Sequence, residues 1–256
     1  MDHRGRVTIV TGAGSGIGRS AAEIIAAAGG SVVAVDRAIE HLEWTSDHDE
    51  IVSLTGDVST QETNQAAVDA ALSNFGRLDA SVLNAGISGS GDLIEQSMDD
   101  FDRSIAVNVR GVVLGVRAAT PAMVETSDDG AFCVTASTSG LRGDPGMWTY
   151  NAAKGAVVNY VRSAALDLGP MGIRINAVAP GPTETGMTER LQDIPQAYEH
   201  LRQRMAVQRW ARADEVAQVI SFLVSPLASI VTGAIVPADG GISANTGQFL
   251  PGPRPG

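Results

Sequence analysis

The chain has 256 residues, of which 44% are hydrophobic and 18% charged, enough apolar material for a sizeable core and too little charge for a disordered segment. A formal net charge of −11 argues against nucleic acid and anionic membranes as partners, since both need basic patches. Cys133, the single cysteine, excludes an internal disulfide, and no apolar run reaches the roughly 18 residues of a membrane span.

A strand-like run, Arg6–Val10, begins almost at the first methionine. It leaves no room for a signal peptide and sets the expectation of a cytoplasmic protein. Further strands are predicted at Ser31–Val35, Ile51–Leu54, Ala80–Leu83, Ala131–Ala136, Arg174–Val178 and Ala234–Val236, with the first placed at Val7–Val10. They read as continuous apolar runs, the pattern of strands covered on both faces. Helical spacing fills the intervals, as in Ile17, Ala21, Ile24, Ile25 and Ala28. The short polar stretch from Asp36 to Asp57 has room only for a stunted helix around Ala38–Trp44. This alternation predicts an α/β fold: a doubly wound Rossmann-type parallel sheet of about seven strands with helices on both faces. It forms a single domain over residues 1–247. A tail follows over 248–256 whose Pro251, Pro253 and Pro255 forbid a helix, so that it is either loose or pinned to a neighbouring subunit.

Thr11-Gly-Ala-Gly-Ser-Gly-Ile-Gly18 joins the first strand to the first helix. Glycines at Gly12, Gly16 and Gly18, with Ser15 and Ile17 between them, allow a tight turn whose backbone amides approach a pyrophosphate at the helix N-terminus. The spacing departs from G-x-G-x-x-G, because Ile17 and Arg19 stand where that pattern has glycine. Asp36 closes the second strand, 18 residues beyond Gly18, where an acid accepts hydrogen bonds from the adenosine ribose and repels a 2′-phosphate. That favours NAD over NADP. Arg37, next in the chain, acts in the opposite sense.

Tyr150 and Lys154 are four residues apart on a pattern that continues through Val157, Val158, Val161, Ala165 and Leu168, so both face one side of a helix. A free phenol, with a pKa of about 10, is a poor base at neutral pH; a neighbouring ammonium lowers it. Cys133 lies in the apolar run Ala131–Thr135 and reads as a buried structural thiol. His3, His41, His48 and His200 show no metal-ligand spacing, and no metal is expected.

The ordered set Thr11–Gly18, Asp57-Val58, Asn84-Ala85-Gly86, Asn108, Ser137, Tyr150/Lys154, Pro180-Gly181, Thr185 and Asp239-Gly240-Gly241 resembles the short-chain dehydrogenase/reductase family over nearly the whole chain. The resemblance implies that Tyr150 is the general acid/base and that Ser137 orients the substrate oxygen. It implies that Lys154 lowers the tyrosine pKa and holds the nicotinamide ribose, while Asn108 positions a water that relays protons. Asp57 and Val58 would flank the adenine, with Asn84, Ala85 and Gly86 passing beside the cofactor. Pro180, Gly181, Thr183 and Thr185 would complete its seat, Thr185 at the nicotinamide end. By the same resemblance, the chain would form a homotetramer through helices at roughly Met98–Val124 and Thr149–Leu168 and through its last strand.

The expected function is NAD(H)-dependent interconversion of a secondary alcohol and a ketone. Leu141, Met147, Trp148, Pro182 and Met187, the segments that line the pocket in this family, are largely apolar and suggest an alicyclic, aromatic or steroid-like small-molecule substrate. Reduction of 3-oxoacyl groups on acyl carrier protein is the alternative; the acidic stretch Glu125–Asp129 and Asp36 weigh against it. A catalytically silent NAD-binding regulator is a second alternative, and the complete Asn108/Ser137/Tyr150/Lys154 set weighs against that.

Overall fold

A computed structural model describes residues 1–252. Seven strands, β1 (Val7–Thr11), β2 (Ser31–Asp36), β3 (Ile51–Thr55), β4 (Ala80–Leu83), β5 (Gly130–Thr135), β6 (Ile173–Pro180) and β9 (Ile235–Ala238), form one parallel sheet in the order β3-β2-β1-β4-β5-β6-β9. All seven lie where the apolar runs predict them. A two-residue pair, β7 (Thr183–Glu184) with β8 (Ala211–Arg212), ties the segment after β6 to the start of the last helix.

The strands alternate their side chains between two cores. Ile9, Val33, Val35, Phe132, Val134, Ile175 and Ala177 point to the face covered by α2 (Gln61–Phe75), α4 (Gly111–Thr126) and α5 (Trp148–Leu168). Val10, Val32, Ala34, Ala131, Cys133 and Val178 point to the other face, covered by α1 (Gly16–Ala27) and α8 (Ala213–Val224). Where both faces are dry, as in β1, β2 and β4, a strand tolerates apolar residues at every position, which explains the unbroken runs. Each fully buried large aliphatic side chain contributes about 1.5–3 kcal/mol. Cys133 is fully buried, and loss of hydration pushes its thiol up to about 12, so it is packing material rather than a nucleophile.

The chain winds from β1 outward to β3, then returns to β4 on the other side of β1 and continues to β9. Strand order therefore reverses between β1 and β4, and a crevice opens there at the carboxyl ends of the strands. The turn after β1 and Asn84 after β4 meet in it. The predicted stunted helix is a 3-10 segment, Ile39–Asp47. The predicted long helix is α3 (Met98–Ile105) running into α4 through a π-helical turn, Ala106–Arg110, which no sequence pattern announced. Between β7 and β8 lie two shorter helices, α6 (Glu189–Gln192) and α7 (Pro195–Arg204). The tail from Gln248 to Gly252 has no regular structure; Pro253 and Pro255 fall outside the described residues.

Candidate active site

The turn after β1 is shaped by close backbone packing. Gly12 has a positive φ of 67°, and a Cβ on Gly18 would lie 2.1 Å from the Gly12 carbonyl oxygen. Only glycine permits that approach of helix to strand. Ser15 is the N-cap of α1, yet its side chain caps none of the first-turn amides. The N–H groups at this helix end therefore remain available to an anion. Asp36 faces the turn: its Oδ2 accepts from Gly14 N at 3.0 Å and its Oδ1 from Ala38 N at 3.3 Å. A carboxylate has about four acceptor positions, so two remain for ribose hydroxyls. Arg37 is exposed, and His41 Nδ1 stands 3.6 Å from Asp36 Oδ1, a neighbour the sequence did not bring forward.

Asn84 and Ala85 are locked to the same turn. Thr11 Oγ1 accepts from Asn84 N at 3.0 Å and Ala85 N at 3.1 Å, while Asn84 Nδ2 donates to the Thr11 carbonyl at 3.1 Å. Asn84 Oδ1 accepts from Thr135 Oγ1 at 3.0 Å, so one amide ties β1, β4 and β5 together beside the crevice. Asp57 is exposed, and a hydrogen bond from Ser59 N holds its carboxyl below the usual carboxylate range. Val58 is partly buried and fastened through its carbonyl to Asn64 Nδ2 at 2.8 Å. Pro180 ends β6; Gly181 packs so closely on Asp239 that a Cβ would meet its Cβ at 2.8 Å. Thr183 Oγ1 donates to the Gly181 carbonyl at 2.9 Å. Thr185 sits beside the glycine-rich turn: its Cγ2 would lie 3.2 Å from a Cβ on Gly16.

Ser137, Tyr150, Lys154 and Asn108 converge where β5 and β4 end. Lys154 is buried and donates from Nζ to the Thr135 carbonyl at 2.8 Å. Burial lowers its pKa to about 8. Its ammonium lies 5.6 Å from the centroid of the Tyr150 ring. Burial also pushes the Tyr150 phenol above its ordinary value; the Ser137 hydroxyl opposes this through a hydrogen bond, and the Asp144 carboxylate adds to it. Among the chain's own groups, desolvation of the phenolate is the largest influence on Tyr150. Ser137 Oγ accepts from Ser139 N at 3.1 Å.

Asn108 is completely buried in the π turn. Its Oδ1 accepts from Ile87 N at 3.1 Å, and its Nδ2 donates to the Ile87 carbonyl at 3.0 Å and to Ser104 Oγ at 3.2 Å. A Cβ on Gly86 would lie 2.7 Å from Asn108 Oδ1 and 3.5 Å from Lys154 Nζ, so both polar groups converge on one point beside the Gly86 backbone.

Two of the expected pocket residues are occupied elsewhere. Trp148 stacks on Phe101 at 5.5 Å with ring planes 11° apart, and Leu141 packs against the core under α5. Met147 and Pro182 are partly buried, and Met187 is exposed. Sequence reasoning missed Thr11, Ser104 and the Thr135 carbonyl as supports of the site. It also missed Asp144, six residues before the tyrosine, whose neighbourhood only the folded loop reveals.

The family model described as "Enoyl-(Acyl carrier protein) reductase" matches residues 12–243. The chain is 38% identical to the meso-2,3-butanediol dehydrogenase of Serratia marcescens over 247 residues, covering 95% of this chain and 96% of that one. It is 36% identical to a 3-oxoacyl-[acyl-carrier-protein] reductase of Thermotoga maritima, covering 94% and 99% respectively. The crystal structure of a levodione reductase superposes with a TM-score of 0.88 at 38% identity, covering 94% of this chain and 99% of that one. The crevice at the strand-order reversal, the glycine-rich turn that lines it and these relatives agree: the chain belongs to the short-chain dehydrogenase/reductase family, whose members act on CH–OH groups and use NAD(P).

Proposed function

We propose that the protein is an NAD(H)-dependent oxidoreductase that interconverts a secondary alcohol and a ketone, with Tyr150 as general acid/base. The observation that carries this reading is the convergence of Ser137, Tyr150, Lys154 and Asn108 at the mouth of a crevice whose other wall is the turn held by Asp36. The seat fits a dinucleotide: uncapped amides at α1 for the pyrophosphate, and an Asp36 carboxylate with spare acceptor positions for the ribose. Asp57, Val58, Asn84, Ala85 and Gly86 border it, with Gly181, Thr183 and Thr185 on the far side.

When bound, the nicotinamide ring takes up the carbinol hydride. The protein's part is proton transfer and placement. Tyr150 Oη removes the hydroxyl proton during oxidation and returns it during ketone reduction. Ser137 Oγ donates to the same oxygen and fixes its position. Lys154 uses one N–H on the Thr135 carbonyl, which orients the ammonium and leaves two donors for the cofactor's ribose. Asn108 Oδ1, meeting Lys154 Nζ beside Gly86, marks the point through which a water carries the proton onward.

An apolar-framed substrate, alicyclic or aromatic, suits the partly buried Met147 and Pro182 and the exposed Met187 at the mouth. We place the enzyme in the cytoplasm as a homotetramer; no helix among the described residues is long and apolar enough to cross a membrane. The tetramer is supported by Leu166 on α5, 78% exposed, and by Leu227 and Ile230 before β9, 69% and 94% exposed. Such apolar groups in water are the usual mark of a subunit interface.

The test is NADH formation from a panel of alicyclic and aryl secondary alcohols, with NADP run beside NAD. Turnover with NAD is the expected result. Activity confined to 3-oxoacyl thioesters with NADPH would favour the acyl carrier protein reading, and binding of NADH without any turnover would favour a silent regulator.

A further inference from the structure

An exposed carboxylate whose charge reaches Tyr150 takes no part in the proposed proton transfer. Asp144 lies in the loop between β5 and α5. Its Oδ2 accepts from Ser139 Oγ at 2.5 Å, and Ser139 N donates in turn to Ser137 Oγ at 3.1 Å. The carboxylate is therefore two hydrogen bonds from the hydroxyl that grips the reacting oxygen. Asn151 Nδ2, from the first turn of α5, donates to the Asp144 carbonyl at 2.8 Å and fixes the loop against the helix that carries Tyr150. Among the described residues, Asp144 forms no ion pair, and its Oδ1 accepts no hydrogen bond.

Two consequences follow from this chemistry. The Ser139 proton is committed to Asp144 Oδ2, which leaves Asp144 Oδ1 as an acceptor. An ionised carboxylate is an acceptor-only group, and a hydrogen bond to it from a substrate hydroxyl is charge-assisted. The same negative charge also opposes ionisation of Tyr150, a cost to the base that a purely structural loop residue could avoid by being asparagine.

We infer that Asp144 is a specificity-determining residue that accepts a hydrogen bond from a second hydroxyl of the substrate, next to the carbinol being oxidised, so that the enzyme prefers vicinal diols to simple secondary alcohols. This rests on the oxidoreductase reading above and names the substrate class within it. A site built to pair with a substrate hydroxyl discriminates against the analogue that lacks it, since its own acceptor is then left to be desolvated without a partner.

The experiment compares kcat/KM for cyclohexane-1,2-diol and cyclohexanol with NAD in the wild type, Asp144→Ala and Asp144→Asn, with NADH binding followed by fluorescence to confirm folded protein. The wild type should favour the diol at least about tenfold. Asp144→Ala should reduce that ratio by about tenfold, and Asp144→Asn, which keeps a carbonyl acceptor, should restore part of it. A wild type that shows no preference for the diol overturns the inference. So does an Asp144→Ala variant whose ratio matches the wild type while both absolute rates fall, the pattern of a residue that only holds the loop. If neither alcohol nor diol is oxidised although NADH binds, the underlying oxidoreductase reading fails, and the inference with it.

Discussion

Tyr150 sits between opposed influences: burial and the Asp144 charge hold its proton on, while the Ser137 hydroxyl favours its loss. Lys154, held by Thr135 and lowered to about 8 by its own burial, is still protonated at neutral pH and supplies the cation that a reacting phenolate needs. In the proposed reading Asp36 plays the same kind of part toward the cofactor. Replacing Asp36 with Ala should remove the repulsion of a 2′-phosphate and leave Arg37 as the neighbouring cation. The NADP-to-NAD ratio of kcat/KM is expected to rise by about tenfold or more; a ratio that stays put would show that Asp36 does not read the ribose. Tyr150, Lys154 and Asp36 were legible in the sequence because side chains at fixed offsets from a helix or strand end carry their chemistry. Thr11 and the Thr135 carbonyl were not. Thr11 acts through its hydroxyl and Thr135 through a carbonyl that any residue type possesses, and only the meeting of β1, β4 and β5 gives them a role.

At the scale of elements, every sheet strand could be read from its apolar run, although only the inner strands are buried on both faces and the edge strands β3 and β9 are partly exposed. The π turn at Ala106–Arg110 could not, because its cause lies in a distant loop. Asn108 uses its whole amide to pair both backbone groups of Ile87, and this fastens the segment after β4 to the junction of α3 and α4. Asn108→Ala should therefore leave two backbone groups without partners, a loss of about 1–3 kcal/mol in urea denaturation. Activity should fall further than stability does, because Gly86 and the Lys154 ammonium border the same junction. An unchanged unfolding midpoint would show that the loop holds itself. Trp148 teaches the converse lesson. Its position two residues before the tyrosine suggests a pocket wall, yet a facing Phe101 one helix away claims its ring, and no local pattern reports that partner.

At the scale of the whole molecule, the doubly wound sheet was legible from strand–helix alternation, whereas the pinning of the chain's first residues was not. His3 is fully buried, its Nε2 2.9 Å from Ser221 Oγ on α8, and burial lowers its pKa from 6.5 to about 4. The folded state thus holds this imidazole neutral where the unfolded chain would protonate it. Its contribution to stability is complete above pH 6.5 and is lost as pH falls from there toward 4, at about 1.4 kcal/mol per pH unit in the middle of that window. Thermal unfolding of wild type and His3→Gln across pH 4 to 7 should show the two curves converging as pH falls; parallel curves would mean that His3 is not the titrating group. The central claim is that proton transfer at Tyr150 drives NAD-linked alcohol oxidation. It is tested most directly by the initial rate of NADH formation from a secondary alcohol in wild type and Tyr150→Phe, with NADH binding measured on both. The expected result is a fall of about 10²–10⁴-fold in turnover with NADH affinity retained. A Tyr150→Phe variant that turns over as fast as the wild type would contradict it.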